Sequence, residues 1–376
     1  MPAPVAYITS QKTLLMENTG LLLIPDISGF TKFVNETEIE HSRYIIEELL
    51  ENIINSNQIG LNISEIEGDA VLFYKFGETP SLDALYQQVA KMFCNFQKKI
   101  KNFELRRLCT CEACKNAVNL SLKVITHYGQ FSTYTVKDFN KLIGKDVILA
   151  HQLLKNDIDL HEYWLVTDKL FEKKQAMQLP QWIMWQEGNK KTDNGEVVYR
   201  YSMLTQLKEN IEPDPIPVYG LGENKVKVIS ISKTIDEVMI KLFSIMGNFS
   251  LRPKWQVGVR NIDEISHPIY HIGIKFRCHS HKGSKYIYSS SFSDNGETFS
   301  LTETDEEKAG EMMISLKPLT QNKTKITLDY YIPKNSFKQM LFSLFTKRRM
   351  QAAFSRSLEN LEALCKEQQI IDVGKK

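Results

Sequence analysis

Two aspartates and a knot of cysteines are the residues whose types and spacing could do chemistry. Asp26 ends a short apolar run, Gly20 to Pro25, and Asp69 sits in a Gly68-Asp69 turn between two further apolar runs, Leu61 to Ile66 and Ala70 to Phe76. If the first run lies beside the hairpin, both carboxylates stand over one divalent ion, and hard oxygen ligands favour Mg2+ or Mn2+. The residues after Asp26, namely Ile27, Ser28, Gly29, Phe30 and Thr31, then form a tight turn at a helix start, whose backbone N–H groups suit phosphate oxygens. Cys109, Cys111 and Cys114 place three thiols within six residues, close enough to share one tetrahedral Zn2+ with a fourth ligand from elsewhere. Cys94 and His127 are the candidates for that fourth ligand, and a buried reduced cluster and a redox sensor stay open beside zinc.

The elements that must position these groups follow from hydrophobic period. A helix carries Ile39, Ile46, Leu49, Leu50, Ile53 and Ile54 on one face. After the hairpin come a helix over 81–100, a strand over 120–127, a helix over 146–156 and a strand over 163–166. The order β-α-β-β-α-β predicts a ferredoxin-like α/β sandwich. On a regular second strand Glu65 and Glu67 share a face with Ile63, adding negative charge close to the two aspartates.

The stretches Leu22 to Thr31 (LLIPDISGFT) and Ile63 to Gly77 (ISEIEGDAVLFYKFG) resemble the two metal-carrying motifs of class III adenylyl and guanylyl cyclases. Gly144 to Leu153 (GKDVILAHQL) is similar to the family's third block, and His127-Tyr128-Gly129 occupies the place of the strand-end glycine before the dimerisation arm. The resemblance covers roughly residues 20 to 170. It implies a homodimer, metal on Asp26 and Asp69, and a nucleoside triphosphate substrate attacked in line at its α-phosphate. It also implies a lost transition-state pair, because Ile148 and Gln152 stand where the family has asparagine and arginine, and no lysine lies between Asn62 and Glu67 to read a base. The expectation is a regulatory domain of the cyclase type that binds metal and nucleotide and has lost turnover. The rival is an active nucleotidyl cyclase with substitute residues, Lys141, Lys145 or His151 being the nearest polar ones. The cysteine segment is similar to one in a bacterial branch of cyclase-like proteins, which favours zinc.

Residues 209–224 hold three prolines and two glycines with little apolar period, the composition of a connector. Three segments follow: a cyclase-like domain over 1–208, a linker over 209–224 and a second domain over 225–370. That second domain reads as a strand over 225–231, a helix over 234–246, a series of strands, and one helix over 335–366. From Val226 to Glu367 the order resembles the START-like (SRPBCC) superfamily of polyketide cyclases and lipid carriers, which implies a helix-grip fold around a hydrophobic small molecule or lipid. Trp255, Phe276, Tyr288 and Phe337 are the candidate pocket residues. A third reading makes the whole chain a dimeric lipid carrier. The overall class is α+β.

Composition bounds the partners. Lys and Arg total 47 against 45 Asp and Glu, so no global field argues for nucleic acid. No apolar stretch is long enough for a membrane span or a signal segment, and six cysteines in 376 residues are too sparse for a disulfide framework, which together predict a cytoplasmic protein. His279 and His281 read as surface or core polar positions lacking a partner carboxylate. The triplet Lys347-Arg348-Arg349 reads as a solvated helix face, with a lipid head group at a pocket mouth as the alternative.

Overall fold

The computed structural model describes residues 18–37, 39–107, 111–171, 179–192, 195–215, 221–266, 269–281, 283–294 and 297–373. The chain divides into two compact units, one of Met1–Lys101 with Asn116–Pro213, the other of Asn102–Lys115 with Asp214–Lys376.

In the first unit, β1 (Asn18–Ser28) is followed by α1 (Phe30–Glu36), α2 (Ile39–Asn55), β2 (Asn62–Glu67), β3 (Ala70–Phe76) and α3 (Leu82–Arg106). The end of α3 and nearly all of the short α4 (Glu112–Asn116) fall to the second unit, and the first resumes with β4 (Ser121–Val136), β5 (Phe139–Ile143), α5 (Lys145–Leu154), β6 (Tyr163–Thr167), β7 (Gln186–Thr192) and β8 (Gly195–Met203). The sheet order is β2-β3-β1-β4-β6-β8-β7, with β5 paired to the end of β4. Its first four strands, all antiparallel, run 2-3-1-4, which is the ferredoxin-like arrangement that β-α-β-β-α-β order generates. Central β1 is an uninterrupted apolar run because both its faces are covered: Leu22 and Ile24 pack with Val147, Ala150 and Leu153 of α5, while Leu21 and Leu23 are equally buried.

The second unit has β9 (Lys225–Ile235), α6 (Met239–Gly247), α7 (Arg252–Trp255), β10 (Val259–Asp263), β11 (Lys275–Ser280), β12 (Gly283–Asp294), β13 (Phe299–Asp305), β14 (Glu311–Thr320), β15 (Lys323–Pro333), α8 (Ser336–Phe345) and α9 (Lys347–Val373). Its seven strands form one antiparallel sheet in the order β10-β11-β12-β13-β14-β15-β9. Leu358, Leu361 and Leu364 of α9 close one core with Phe276, Leu301, Ile314 and Ile326 of the sheet.

Several elements run past their predicted bounds, β4 to Val136 and α3 to Arg106 among them, and two helices differ more sharply. The helix expected from residue 234 starts at Met239, because Thr234 and Ile235 continue the β9 ladder opposite Lys325 and Thr324 of β15. The single terminal helix expected over 335–366 is divided at Thr346 into α8 and α9. Among the described residues no helix is long and apolar enough to cross a membrane.

Candidate functional site

The end of β1 is fastened to the tip of the β2–β3 hairpin: Asp26 stands opposite Ala70 in register, and the Ile27 N–H donates to the Asp69 carbonyl at 3.0 Å. Gly68 turns the hairpin with φ 61, a left-handed value that glycine adopts without steric cost. Gly29, at φ 89, likewise turns the chain from β1 into α1. These two turns set Asp26, Asp69 and the 27–31 segment around one cleft of about 960 Å³. All seven residues predicted to hold metal or phosphate line it.

Two carboxylates are crowded together at one side of the cleft. Burial raises the Asp26 carboxyl above its ordinary value despite a neighbouring cation, Lys123, whose ammonium lies 3.3 Å from Asp26 Oδ1. Asp69 is pushed up to about 6, first by burial and then by the charge of Asp26. Lys123 thus faces two crowded carboxylates, while Glu67, Lys32 and Lys155 stand elsewhere on the cleft wall. Paired carboxylate oxygens of this kind are the chemistry that fits Mg2+ or Mn2+. The Ser28 hydroxyl, on the same wall, is buried without a hydrogen-bond partner, a donor that a bound oxyanion would satisfy.

Lys123 had not been singled out. It arrives through the β1–β4 register, directly opposite Asp26, and its ammonium also donates to the Leu154 carbonyl at 3.2 Å. The available signal is a lysine between two apolar residues, Leu122 and Val124, in the buried first half of the strand.

The far wall is α5. Asp146 in its first turn is buried; its Oδ1 lies 2.9 Å from His127 Nε2 and its Oδ2 accepts the Gln130 N–H at 2.7 Å. Burial alone would raise this carboxyl, but the His127 and Gln130 hydrogen bonds hold it below its ordinary value. A Cβ on Gly129 would lie 2.3 Å from Asp146 Cγ, so glycine is needed where β4 and α5 meet. This joint aims Ile148, His151 and Gln152 into the cleft. His127 is therefore occupied by Asp146 and by Thr167, 2.9 Å from Nδ1, and is not a spare zinc ligand.

The predicted polar substitutes separate. His151 lines the cleft, its Nδ1 3.7 Å from Glu67 Oε2. Lys141, on β5, is instead paired with Glu65, and neither it nor Lys145 is among the lining residues. The expectation that Glu65 and Glu67 share a face with Ile63 fails at a bulge between Ile63 and Glu65, which puts Ile63 out of phase with the two glutamates; Glu67, nearer the hairpin tip, lines the cleft, and Glu65 pairs with Lys141.

Of the cysteines, Cys109 lies outside the described residues. Cys111 and Cys114 are one turn apart, the Cys114 N–H reaching Cys111 Sγ at 3.4 Å. Cys94 is half-buried on α3, and burial pushes its thiol up. In the second unit Trp255 and Phe276 enter one core, Tyr288 is half-buried beneath Lys275, and Phe337 is exposed on α8. His279 does have a carboxylate partner, Asp263, at 2.8 Å.

A family model described as a protein of unknown function, DUF2652, matches residues 46–163. An uncharacterized protein of Mycobacterium tuberculosis, Rv2561/Rv2562, is 32% identical over 121 residues, which make up 32% of this chain. The chain spans 56% of that relative's length. Among solved structures, the catalytic core of a rhodopsin–guanylyl cyclase in complex with ATPαS is 14% identical, covering 50% of this chain and 96% of that one, with a TM-score of 0.37. The adenylyl cyclase CyaB from P. aeruginosa is 14% identical over 49% of this chain and 94% of that one, with a TM-score of 0.31. The fold of the first unit rests on its own strand order rather than on scores this low.

Proposed function

We propose that the first unit is a nucleotidyl cyclase-type domain that binds a divalent metal and a nucleoside triphosphate and has lost turnover, serving as a regulatory module. The observation that carries this is the cleft where two raised aspartates, Asp26 and Asp69, and the turn 27–31 meet around one cavity. Mg2+ or Mn2+ would be held by the two carboxylates, supplying charge neutralisation to a triphosphate; the turn, the Ser28 hydroxyl and Lys123 would orient its phosphates. Turnover needs a cation on the α-phosphate as charge develops, worth several kcal/mol of barrier. By the family resemblance that place falls to Gln152 on α5, with apolar Ile148 one turn before it, and both side chains line the cleft.

The deciding experiment is a mass-spectrometric assay for cyclic nucleotides with all four triphosphates and Mn2+ or Mg2+, run beside a thermal-shift titration of the same ligands. Stabilisation without product supports the reading. Product that disappears in Asp26→Ala makes the protein an active cyclase, with His151 the leading substitute on the cleft wall. No stabilisation by any metal or nucleotide sinks the reading outright.

The module is proposed to be a homodimer joined through the β4–β5 hairpin, where Tyr134, Val136, Phe139 and Ile143 are exposed apolar residues on one extension of the sheet. The second unit is proposed to be a START-like, helix-grip module for a hydrophobic ligand. Its favouring observation is the Trp255 indole N–H, buried in that core without an acceptor. Native mass spectrometry of the purified chain tests this: a copurified apolar molecule supports it, and an empty unit that no acyl or sterol probe stabilises removes it.

A further inference from the structure

Helix α8 leaves its apolar face uncovered. Phe337, Met340, Leu341, Leu344 and Phe345 recur at i, i+3, i+4, i+7 and i+8, and they are 64%, 52%, 39%, 69% and 78% exposed. That spacing makes one continuous stripe, normally the side a helix turns to a core. The opposite side is already fastened, since Phe342 stacks on Tyr330 of β15 with ring centroids 5.9 Å apart. The stripe therefore faces outward because the helix is held that way.

Charge says what covers it. From Tyr330 to Leu358 the chain has six basic residues, Lys334, Lys338, Lys347, Arg348, Arg349 and Arg356, and no aspartate or glutamate, in a protein whose net charge is only +2. Cations lie at both ends of α8, and Arg348 and Arg349 directly after it are exposed. A second copy of this chain seated on the same stripe, parallel or antiparallel, would bring basic end against basic end. An anionic bilayer answers both features: its acyl boundary takes the Phe and Leu side chains and its phosphates take the Lys and Arg groups. Ten residues at 1.5 Å each form a helix that lies in the interface rather than crossing it.

We propose that α8, with the basic triplet behind it, docks the protein on an anionic phospholipid surface. The test is co-sedimentation of the full chain with vesicles of phosphatidylcholine alone and of phosphatidylcholine with about 30% phosphatidylglycerol. The intact chain is expected to bind the anionic vesicles roughly ten-fold or more tightly than the neutral ones, and to be released by salt. Arg348→Glu with Arg349→Glu should erase that preference, and Leu344→Glu with Phe345→Glu should abolish binding to both. Since all four side chains are exposed, melting temperature should be unchanged, which separates lost docking from lost folding. Equal binding to both vesicle types, or none to either, overturns the proposal. So does a dimer that Leu344→Glu with Phe345→Glu converts to monomer while vesicle binding persists.

Discussion

Two clusters of buried charge in this protein are built to opposite specifications. In the second unit the Arg252 guanidinium, from α7, meets the Glu303 carboxylate of β13 through two hydrogen bonds, and Tyr270 donates to the same carboxylate. Arg252 also gives its Nε hydrogen to the Met246 carbonyl at 3.1 Å and lies among the rings of Phe249, Trp255, Tyr270 and Phe276. Burial would raise Glu303, yet Arg252 holds it below the ordinary carboxylate range. In the first unit's cleft burial wins instead, joined at Asp69 by the charge of Asp26, and both aspartates are raised. The difference teaches how to sort buried charge. A cluster that neutralises itself is finished as structure, whereas carboxylates held above their ordinary range beside a cavity are the kind of group that functional sites use.

The largest effect should come from breaking the finished cluster. Arg252→Met strands the Glu303 carboxylate in a dry core and is expected to cost about 3–5 kcal/mol of stability. Chemical denaturation would show it. A loss under ~1 kcal/mol would mean that water reaches Glu303 and that the contrast between the two clusters is false.

Breaking the unfinished cluster should do the reverse in the metal-free protein. Asparagine suits the same turn, so Asp69→Asn keeps the hairpin while removing the charge that opposes Asp26. The unliganded variant is expected to melt no lower than wild type. Its stabilisation by Mn2+, about 2.7 kcal/mol at a hundred-fold excess over Kd in the wild type, should disappear. Full Mn2+ stabilisation in the variant would show that Asp69 is a turn former and nothing more.

How far this contrast was legible beforehand differs between the clusters. Asp26, Asp69 and the 27–31 turn could be read because strand ends and a Gly-Asp turn mark themselves locally in the chain. Lys123 could not, because its role depends on which residue of β1 it meets across the sheet, and register is a long-range fact. The same holds for Arg252 and Glu303, fifty-one positions apart. The division of the terminal helix at Thr346 was hidden for another reason: apolar residues continue across it, and the break carries neither glycine nor proline. The bulge after Ile63 had no glycine to announce it either.

Lys123 offers a finer test of the contrast, because its ammonium is paired with Asp26 at 3.3 Å. Lys123→Met leaves a side chain of similar length and takes away a competitor for the carboxylates. Mn2+ affinity measured by calorimetry is expected to rise about ten-fold, close to 1.4 kcal/mol, while the metal-free protein loses stability. If the lysine serves mainly to hold phosphate, nucleotide stabilisation should fall even as metal binding improves. Unchanged metal affinity would place the ion away from Asp26.

The smallest effect is the pH dependence of the metal-free protein, and its sign is set by the raised carboxyls. Asp69 holds its proton to about 6 in the folded chain, against 3.8 for the ordinary side chain. Its protonated form is thus favoured by folding, so its contribution to stability is complete below pH 3.8 and is lost as pH rises through about 6. Asp26, raised by burial, acts in the same direction. Between about pH 5 and pH 7 the melting temperature should fall by on the order of 1–2 °C, a small figure because Asp69 is partly exposed to solvent. Saturating Mn2+ should reverse the slope, since the ion competes with the proton for the same oxygens and binds better as they ionise. Asp69→Asn should flatten both slopes. A wild type that grows more stable over this range without metal would mean that Lys123 already satisfies both carboxylates, and the first cluster would then be as complete as the second.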